Sequence, residues 1–407
     1  MLHHDVIIIG GGAGGYFSAI NIAEKHPDKS ILILERGKEV LNKVRISGGG
    51  RCNVTHACFE PKPLSRFYPR GEKELIGPFH QFCSGDTVSW FNDHGVELKI
   101  EDDGRMFPVS DSSLSIVNCL IDHARKYGVR LMTGMRVESL LPPHGDDKFK
   151  VFAKENEFSC NRLIIATGSN PGVWKLLEGI GHQIVTPVPS LFTFIIQDKI
   201  LRELPGVSVP QASVRVGGTK LTATGPLLIT HKGLSGPGIL KLSAWGAREL
   251  NTLDYRFAIH VNWVSPLRKR DVLERIESLR LQSPAQTVEK NAQFDLPKRL
   301  WAGLCARAKV QQGKRWADLS SKEMNALGDE LTNGAFHVEG KNTFKEEFVT
   351  AGGVDLKEVN MKTFESRKHA GLFFAGEVLN IDAITGGFNF QAAWTGGWIV
   401  SEHVFHD

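Results

Sequence analysis

The first thirty-five residues contain the feature that most restricts how this chain folds. Asp5–Ile9 has the pattern of a short buried β-strand, and the glycine-rich run 10–15, which satisfies G-x-G-x-x-G, follows it directly. Tyr16–Lys25 has a helical pattern, and Ile31–Glu35 is a second apolar strand. A strand, a glycine turn, a helix and a second strand make a βαβ unit, so we predict an α/β fold with a parallel sheet.

Each glycine of this turn has a physical role in binding a dinucleotide. Gly10 permits the tight turn, Gly12 lets the backbone approach a pyrophosphate, and Gly15 allows close helix–strand packing. The start of the helix offers free N–H groups and the positive end of its dipole to phosphates. Glu35 comes about twenty residues after the turn, where a carboxylate accepts hydrogen bonds from a ribose diol. The turn alone does not decide between NAD and FAD.

Two later segments favour FAD. Ile165–Gly168 is the end of a buried strand, of the kind that passes beside the flavin in many flavoproteins. Gly371–Glu377 is a short strand followed by a glycine and an acid, and in such enzymes it approaches the ribityl chain. The loop Thr385–Gln391 then opens the last helix with glycines, which allow backbone amides near an anion or a flavin carbonyl.

Candidate catalytic residues come from two unusual loops. Lys43–Thr55 contains three glycines followed by Arg51, Cys52 and Asn53, which together present a cation, a thiol and an amide beside exposed backbone. Arg51 and Cys52 are therefore catalytic candidates, although a structural thiol explains Cys52 equally well. Thr230–Pro237 contributes His231, either as an acid/base group or as a polar residue that only fixes its loop.

The predicted secondary-structure pattern changes twice along the chain. After Pro187 and Pro189 come short alternating segments typical of antiparallel β-structure, then three helical patterns between about 265 and 333. A glycine-rich α/β style returns from about Phe348. We therefore predict a nucleotide-binding domain of residues 1–190 and 347–407, interrupted by an inserted domain of residues 191–346 that consists of β-structure and then helices at about 265–333.

The composition limits which kinds of binding partner we expect for this chain. The 407 residues are 41% hydrophobic and 23% charged with a net charge of +4, which gives no reason to expect a nucleic-acid partner. No apolar run reaches about 18 residues, so we expect no membrane partner. The six cysteines are scattered without a C-x-x-C pair, so neither a metal site nor a disulfide framework is indicated and a reducing, cytoplasmic location is expected. The oligomeric state stays open.

Several blocks together resemble one flavoprotein family. Ile46–Asn53 (Ile-Ser-Gly-Gly-Gly-Arg-Cys-Asn), Gly104–Asp111, Thr230–Pro237, Phe348–Val354 and Gly371–Gln391 are similar to motifs of the BaiN/RdsA-type NAD(P)/FAD-dependent oxidoreductases, which include aminoacetone-oxidase-like flavoproteins. The blocks keep the family order over nearly the whole chain. The resemblance implies a Rossmann-like FAD domain with an inserted barrel-like domain that carries a helical subdomain.

The resemblance also implies which residues contact FAD. By position they are Gly10, Gly12, Ala13, Gly15, Glu35, Arg36, Ser47, Gly49, Gly50, Arg51, Cys52, Asn53, Val137, Thr167, Gly168, Gly376, Glu377, Gly387, Phe388, Asn389, Phe390 and Gln391. Three positions depart from the family pattern. Arg45 replaces an aliphatic residue, and Asn380 and Ile384 stand where Asp and an aromatic residue are common. A relative's substrate therefore does not carry over to this chain.

Three functions remain in competition. The first is a reductase or dehydrogenase of a small organic molecule at a C=C or C=N bond, with NAD(P)H docking transiently at the flavin and the substrate entering between the two domains. The second is an oxygen-using amine oxidase. The third is a nucleic-acid-modifying or non-catalytic flavin-binding protein, suggested by the basic runs Arg268–Arg270, Lys298–Arg299 and Lys314–Arg315. A solvated helix face explains these runs more simply.

Overall fold

The computed structural model describes residues 2–145, 147–342 and 349–406. The chain divides into two compact units, Met1–Val188 with Lys345–Asp407 and Pro189–Phe344. The first predicted domain limit, at 190/191, lies two residues from this division, and the second, at 346/347, lies outside the described residues, as does Phe348.

The elements of the first unit up to the insert alternate between strands and helices. They are β1 Leu2–Ile9, α1 Ala13–Lys25, β2 Ile31–Leu34, α2 Asn42–Gly50, β3 Thr55–His56, α3 Pro61–Ser65, α4 Ile76–Gln81, α5 Ser84–Asp93, β4 Leu98–Ile100, β5 Arg105–Pro108, α6 Ser113–Lys126, β6 Arg130–Met132, β7 Val137–Leu141, β8 Phe149–Ala153, β9 Asn156–Ile165, α7 Pro171–Gly179 and β10 Ile184–Ser190.

The second unit is mostly antiparallel strands followed by helices. Its elements are β11 Thr193–Ile195, α8 Lys199–Arg202, β12 Ser208–Val216, β13 Thr222–Thr230, β14 Gly233–Ser235, α9 Pro237–Trp245, α10 Ala247–Thr252, β15 Phe257–Asn262, α11 Lys269–Gln282, α12 Lys298–Arg307, α13 Ser321–Asn333, β16 Gly334–Val338 and β17 Gly340–Asn342. The first unit then resumes with β18 Val349–Val354, β19 Val359–Asn360, β20 Glu365–Ser366, β21 Leu372–Phe374 and α14 Phe388–His403.

A sheet with the order β19-β20-β21-β9-β1-β2-β6 organises the first unit. Strands β21, β9, β1, β2 and β6 run parallel, with Ile8 paired to Ile33 on one side and to Ile164 on the other. The central strands are apolar on both faces because helices cover both, and Val6–Ile9 are at most 4% exposed. The predicted α/β class with a Rossmann-like fold is confirmed.

The second unit contains an antiparallel sheet with the order β16-β15-β12-β13-β14-β11-β17. Its end strands β16 and β17 are separated in the chain only by Glu339, so the sheet curls round until its two edges are neighbours, as in a barrel. The helical part comprises α11, α12 and α13. Helix α11 begins at Lys269, a few residues after the helical pattern begins at about 265, because Asp271 accepts from the backbone N–H of Arg268 and caps the helix there.

None of the helices in the described parts of the chain is both long enough and apolar enough to cross a bilayer.

Candidate flavin-binding site

The glycine turn between β1 and α1 has the tight geometry that its sequence predicts. Gly10 has φ +112°, and a Cβ there would lie 2.5 Å from the carbonyl oxygen of Ala166 on the neighbouring strand end. A Cβ on Gly15 would lie 2.0 Å from the carbonyl oxygen of Gly10. Both positions therefore require glycine for packing within the protein itself.

Gly12 is different, because a Cβ at this position would meet no atom within 4 Å. It is the N-cap of α1, and no side chain caps its free N–H groups. The turn thus leaves open space beside unsatisfied backbone donors and the positive end of a helix dipole. These features fit the pyrophosphate of a dinucleotide, which Gly12 and Ala13 would bind through backbone N–H groups.

Glu35 is held rigidly at the end of β2. One carboxylate oxygen accepts from the backbone N–H of Gly11 at 2.8 Å, and the other accepts from that of Gly37 at 2.7 Å. A carboxylate oriented in this way keeps further lone pairs for a ribose diol. Of the other predicted contacts, Arg36 follows Glu35 and is exposed, whereas Val137 is the buried first residue of β7. The backbone N–H of Met135, two residues before Val137, donates to the carbonyl oxygen of Glu35 at 2.8 Å.

The loop at the end of α2 turns sharply. Ser47 is extended (ψ 153°), and Gly48, Gly49 and Gly50 all have positive φ, between 58° and 85°. A Cβ on Gly49 or Gly50 would meet nothing within 4 Å, whereas one on Gly48 would lie 2.9 Å from the Phe107 ring. Two of the three glycines therefore present bare backbone to open space, which suits close approach of a planar ligand.

Arg51 is part of a surface ion-pair network. Its guanidinium donates to Glu101 at 2.6 Å, approaches Asp111 at 3.4 Å, and lies 4.0 Å from the centre of the Phe107 ring. The hydrogen bond that Arg51 donates to the Glu101 carboxylate raises the pKa of the guanidinium above its usual value. Two carboxylates thus already engage this side chain, so the structure favours a positioning role for Arg51 over direct contact with a substrate.

Cys52 has the character of a structural residue. Its side chain is fully buried, and burial raises the pKa of the thiol to about 12, against a smaller opposing effect of the hydrogen bond with Ser47. A thiol with this pKa is protonated at neutral pH, so it is neither a good nucleophile nor a redox centre. The structure therefore favours the structural interpretation of Cys52 over the catalytic one.

Asn53 connects this loop to the start of α14. With its amide oriented so that both ends are satisfied, Asn53 accepts from the backbone N–H of Gly387 at 3.0 Å and donates to the carbonyl oxygen of Thr55 at 3.0 Å. Gly387 has φ +89°, and a Cβ there would lie 2.5 Å from the Thr55 carbonyl oxygen. The two glycine loops are therefore held against each other through the side chain of Asn53.

The residues after Gly387 are placed by their own side chains. Phe388 is buried and stacks on Phe67 at 4.3 Å between ring centroids, and Phe390 stacks on Trp394 at 5.7 Å. Asn389 accepts from the N–H of Ala383 at 3.0 Å and donates to its carbonyl at 3.2 Å. These side chains hold the loop, so any contact of Phe388 or Asn389 with a cofactor is left to the backbone.

Gln391 lies in a buried polar network. Its amide oxygen accepts from the hydroxyls of Thr55 at 2.5 Å and Thr87 at 2.9 Å, and its nitrogen donates to Thr395 at 3.1 Å. Thr395 in turn donates to the carbonyl of Phe82 at 2.9 Å. Every described polar atom of the Gln391 side chain thus has a protein partner, and the side chain supports the site from behind.

Glu377 receives a partner that sequence reasoning missed. Lys43 donates to its Oε2 at 2.6 Å, and Oε1 lies 3.4 Å from the backbone N–H of Thr350. A Cβ on Gly168 would lie 3.6 Å from Oε2, so the end of β9, with Thr167 and Gly168, reaches the same place. Lys43 is the first residue of the glycine-containing block Lys43–Thr55, and its place in that block is the sequence signal that could have identified it.

His231 belongs to the other unit. It lies with Lys232 in the turn between β13 and β14, and its side chain is exposed. Within the described parts of the chain its imidazole makes no hydrogen bond. The structure thus brings the predicted cofactor-binding segments together in the first unit, and leaves the assignment of His231 a prediction.

The chain is similar to known proteins along almost its whole length. The family model described as the HI0933-like protein Rossmann domain matches residues 4–403. The ribosomal RNA dihydrouridine synthase of Escherichia coli strain K12 is 30% identical, over 99% of this chain and 98% of that protein. The 3-dehydro-bile acid delta(4,6)-reductase of Clostridium scindens is 28% identical, over 96% of this chain and 97% of that protein.

A solved structure shares the fold. The 3-ketosteroid-delta4-(5alpha)-dehydrogenase from Rhodococcus jostii RHA1 superimposes with a TM-score of 0.52, over 98% of this chain and 97% of that chain, at 13% identity.

Proposed function

Because the chain belongs to the HI0933-like Rossmann family of FAD-dependent oxidoreductases, we propose that it reduces a carbon–carbon double bond conjugated to a carbonyl, with NAD(P)H as electron donor. The observation that carries this proposal is that two relatives with different substrates are named for reactions at the same kind of double bond. A dihydrouridine is a uridine reduced at the double bond next to its carbonyl, and a delta(4,6)-reductase of a 3-oxo steroid acts on double bonds conjugated to that carbonyl.

The chain's own residues bind and orient the cofactor. FAD supplies the two-electron redox chemistry when bound. The N–H groups at Gly12 and Ala13 would bind its pyrophosphate, and Glu35, fixed by Gly11 and Gly37, would accept from the adenosine ribose. The open backbone of Gly49 and Gly50, with the loop that Asn53 ties to Gly387, would approach the flavin end.

The substrate class divides into two candidates. A uridine in RNA is favoured by the relative with 30% identity over nearly the full length of both proteins, although the net charge of +4 gave no reason to expect RNA. A steroid-like enone is the second candidate, supported by the bile acid reductase at 28% identity. Neither substrate transfers directly, because Asn380 and Ile384 change the loop after β21.

Anaerobic half-reactions test the proposal. The purified flavoprotein is mixed with NADH or NADPH, and loss of the visible flavin absorbance reports its reduction. The reduced protein is then mixed separately with a 3-oxo-Δ4 steroid, with unmodified ribosomal RNA and with oxygen. We expect reoxidation by the steroid or the RNA, with two hydrogens gained by the product in its mass spectrum. Flavin reduction by an amine with reoxidation only by oxygen would instead support the amine oxidase and overturn the proposal.

A further inference from the structure

The second unit presents a basic face on its sheet. Residues alternate along β12, β13, β15 and β16 between the buried core and the outside. The outward positions include Arg215, which pairs across the strands with His260, and His337, which lies diagonally from His260. Lys220 and Arg256 are exposed in the turns at the same end of these strands. We call these five residues the basic sheet face.

This face carries no acidic group on its strands. The outward residues on β12, β13, β15 and β16, all within the described part of the chain, are Ser208, Gln211, Ser213, Arg215, Thr222, Thr224, Pro226, Leu228, Thr230, Ala258, His260, Asn262, Ala335 and His337. The acids Asp254 and Glu339 lie beyond the strand ends and are exposed.

The cations of the face are also unpaired. Within the described residues, Arg215, Lys220 and Arg256 make no ion pair and no side-chain hydrogen bond. Arg215 lies on β12, Lys220 in the turn that follows β12, and Arg256 directly before β15, which pairs with β12, so the three cations lie towards one end of the same strands. An anionic partner that neutralises them would therefore be bound favourably.

Four of the seven cations in the basic runs that stand out in the sequence are, by contrast, ion-paired. Lys269 pairs with Asp329 at 2.9 Å, Lys314 with Glu323 at 2.7 Å, and Arg315 with Asp318 at 2.8 Å. Arg270 lies 3.5 Å from Glu274. These cations are already compensated by neighbouring acids. Arg215, Lys220 and Arg256, by contrast, are scattered in the sequence and are brought to one end of the same strands by the fold.

We propose that the basic sheet face binds the phosphate backbone of RNA. This inference rests on the RNA-directed form of the proposed function. The outward positions include no Phe, Tyr or Trp, so we expect most of the contacts to go to phosphate and sugar. The hydroxyls of Ser213, Thr222 and Thr224 add hydrogen-bond donors between the cations. Such contacts hold an RNA in register without reading its sequence.

Two variants of equal charge test the proposal. The first is Arg215→Ser with Lys220→Ser and Arg256→Ser, and the control is Lys269→Ser with Arg270→Ser and Arg315→Ser, which removes three exposed cations that are already paired. Binding of unmodified in vitro-transcribed ribosomal RNA is measured at several salt concentrations. Loss of three phosphate contacts should make the negative slope of log K against log salt less steep by about 2, at about 0.7 per contact with single strands.

We expect the first variant to bind RNA at least about tenfold more weakly and the control to match the wild type. Equal weakening of both, no weakening of either, or no RNA binding by the wild type would overturn the proposal. Flavin content and dihydrouridine formation are measured in parallel. If the first variant loses RNA binding but the wild type makes no dihydrouridine, the proposed function is overturned and the RNA-binding role of the face stands. If both variants make dihydrouridine and bind RNA as tightly as the wild type, the RNA-binding role of the face is overturned and the proposed function stands.

Discussion

Lys43 donates a hydrogen bond of 2.6 Å to Glu377, a residue 334 positions further along the chain. The bond joins the first turn of α2 to the loop that follows β21, and both segments belong to the predicted flavin site. The Glu377 side chain is only 16% exposed, whereas that of Lys43 is 52% exposed. The lysine therefore orients a half-buried carboxylate from the solvent side.

Replacing Lys43 by Met should weaken FAD binding about two- to fivefold, since a partly exposed ion pair contributes about 0.5–1 kcal/mol. Fluorescence titration of the apoprotein with FAD measures the dissociation constant. Glu377→Gln and the double variant complete the cycle. Because each single change removes the same bond, the double variant should be little worse than the worse single one. Strictly additive effects would show that the pair does not act together in FAD binding.

Gly12→Val should abolish FAD binding while the apoprotein still folds. A side chain at Gly12 meets no protein atom within 4 Å, so it occupies only the space expected for the pyrophosphate. Circular dichroism and FAD content check the two halves of the prediction. FAD at 100 times its dissociation constant should raise the free energy of unfolding of the wild type by about 2.7 kcal/mol, and the variant should lack this stabilisation. Gly15→Val is the contrasting variant, because it should fail to fold.

Asn53→Ala should impair flavin turnover more than flavin retention. The substitution removes the amide that holds Gly387 against Thr55, while the glycine turn at Gly12 should still bind the pyrophosphate. Arg51→Ala should act in the same direction through the network with Glu101. Flavin content and the rate of anaerobic flavin reduction by NAD(P)H provide the comparison. Normal turnover with normal flavin content in both variants would contradict this view of the loop.

Cys52→Ala should leave both half-reactions close to wild-type rates. Burial raises the pKa of this thiol to about 12, so the thiolate is a negligible fraction at any pH below about 10. Iodoacetamide should fail to label Cys52 in the native protein between pH 7 and 9 and should label it after denaturation, as peptide mass spectrometry can show. Native labelling, or a large loss of rate in the variant, would restore the catalytic interpretation.

His231→Gln should slow substrate reduction by about 10²–10⁴-fold and leave flavin reduction by NAD(P)H nearly normal, if His231 donates the proton to the second carbon of the double bond. The melting temperature should not change, because the exposed imidazole makes no hydrogen bond within the described residues. Stopped-flow measurement of each half-reaction separates the effects. An unchanged oxidative half-reaction would end the catalytic proposal for His231.

Local chemistry made much of the fold predictable from sequence. The strand, turn and helix at the N-terminus follow from an apolar run, a glycine pattern and a period of 3.6, and α1 and β2 lie where that pattern put them. The N-cap of α6 is Ser112, whose hydroxyl accepts from the backbone N–H of Leu114, as is usual for a serine before a helix. These features depend on neighbours in the chain, which a sequence displays directly.

Long-range pairing accounts for what the sequence did not reveal. The partners of Gln391 are Thr55 and Thr87, about 300 residues away, and no local pattern announces them. The burial of Cys52 depends on the packing of several segments around its loop. Likewise, the resemblance to a family predicted which positions lie near FAD, but it did not tell which act through the backbone and which through the side chain.

The pairing of β9 with β21 has a consequence for synthesis on the ribosome. Strand β9 is complete at Ile165, but its partner Leu372–Phe374 is made about two hundred residues later. At about 5–20 residues per second the nascent chain waits roughly 10–40 s with Leu163–Ile165 unpaired on this edge, since β8 pairs only with residues 156–160 of the strand. An open edge is a template for aggregation, so chains stalled within the insert should need a chaperone more than finished ones do. The insert thus sets a delay between the start of the flavin domain and its completion.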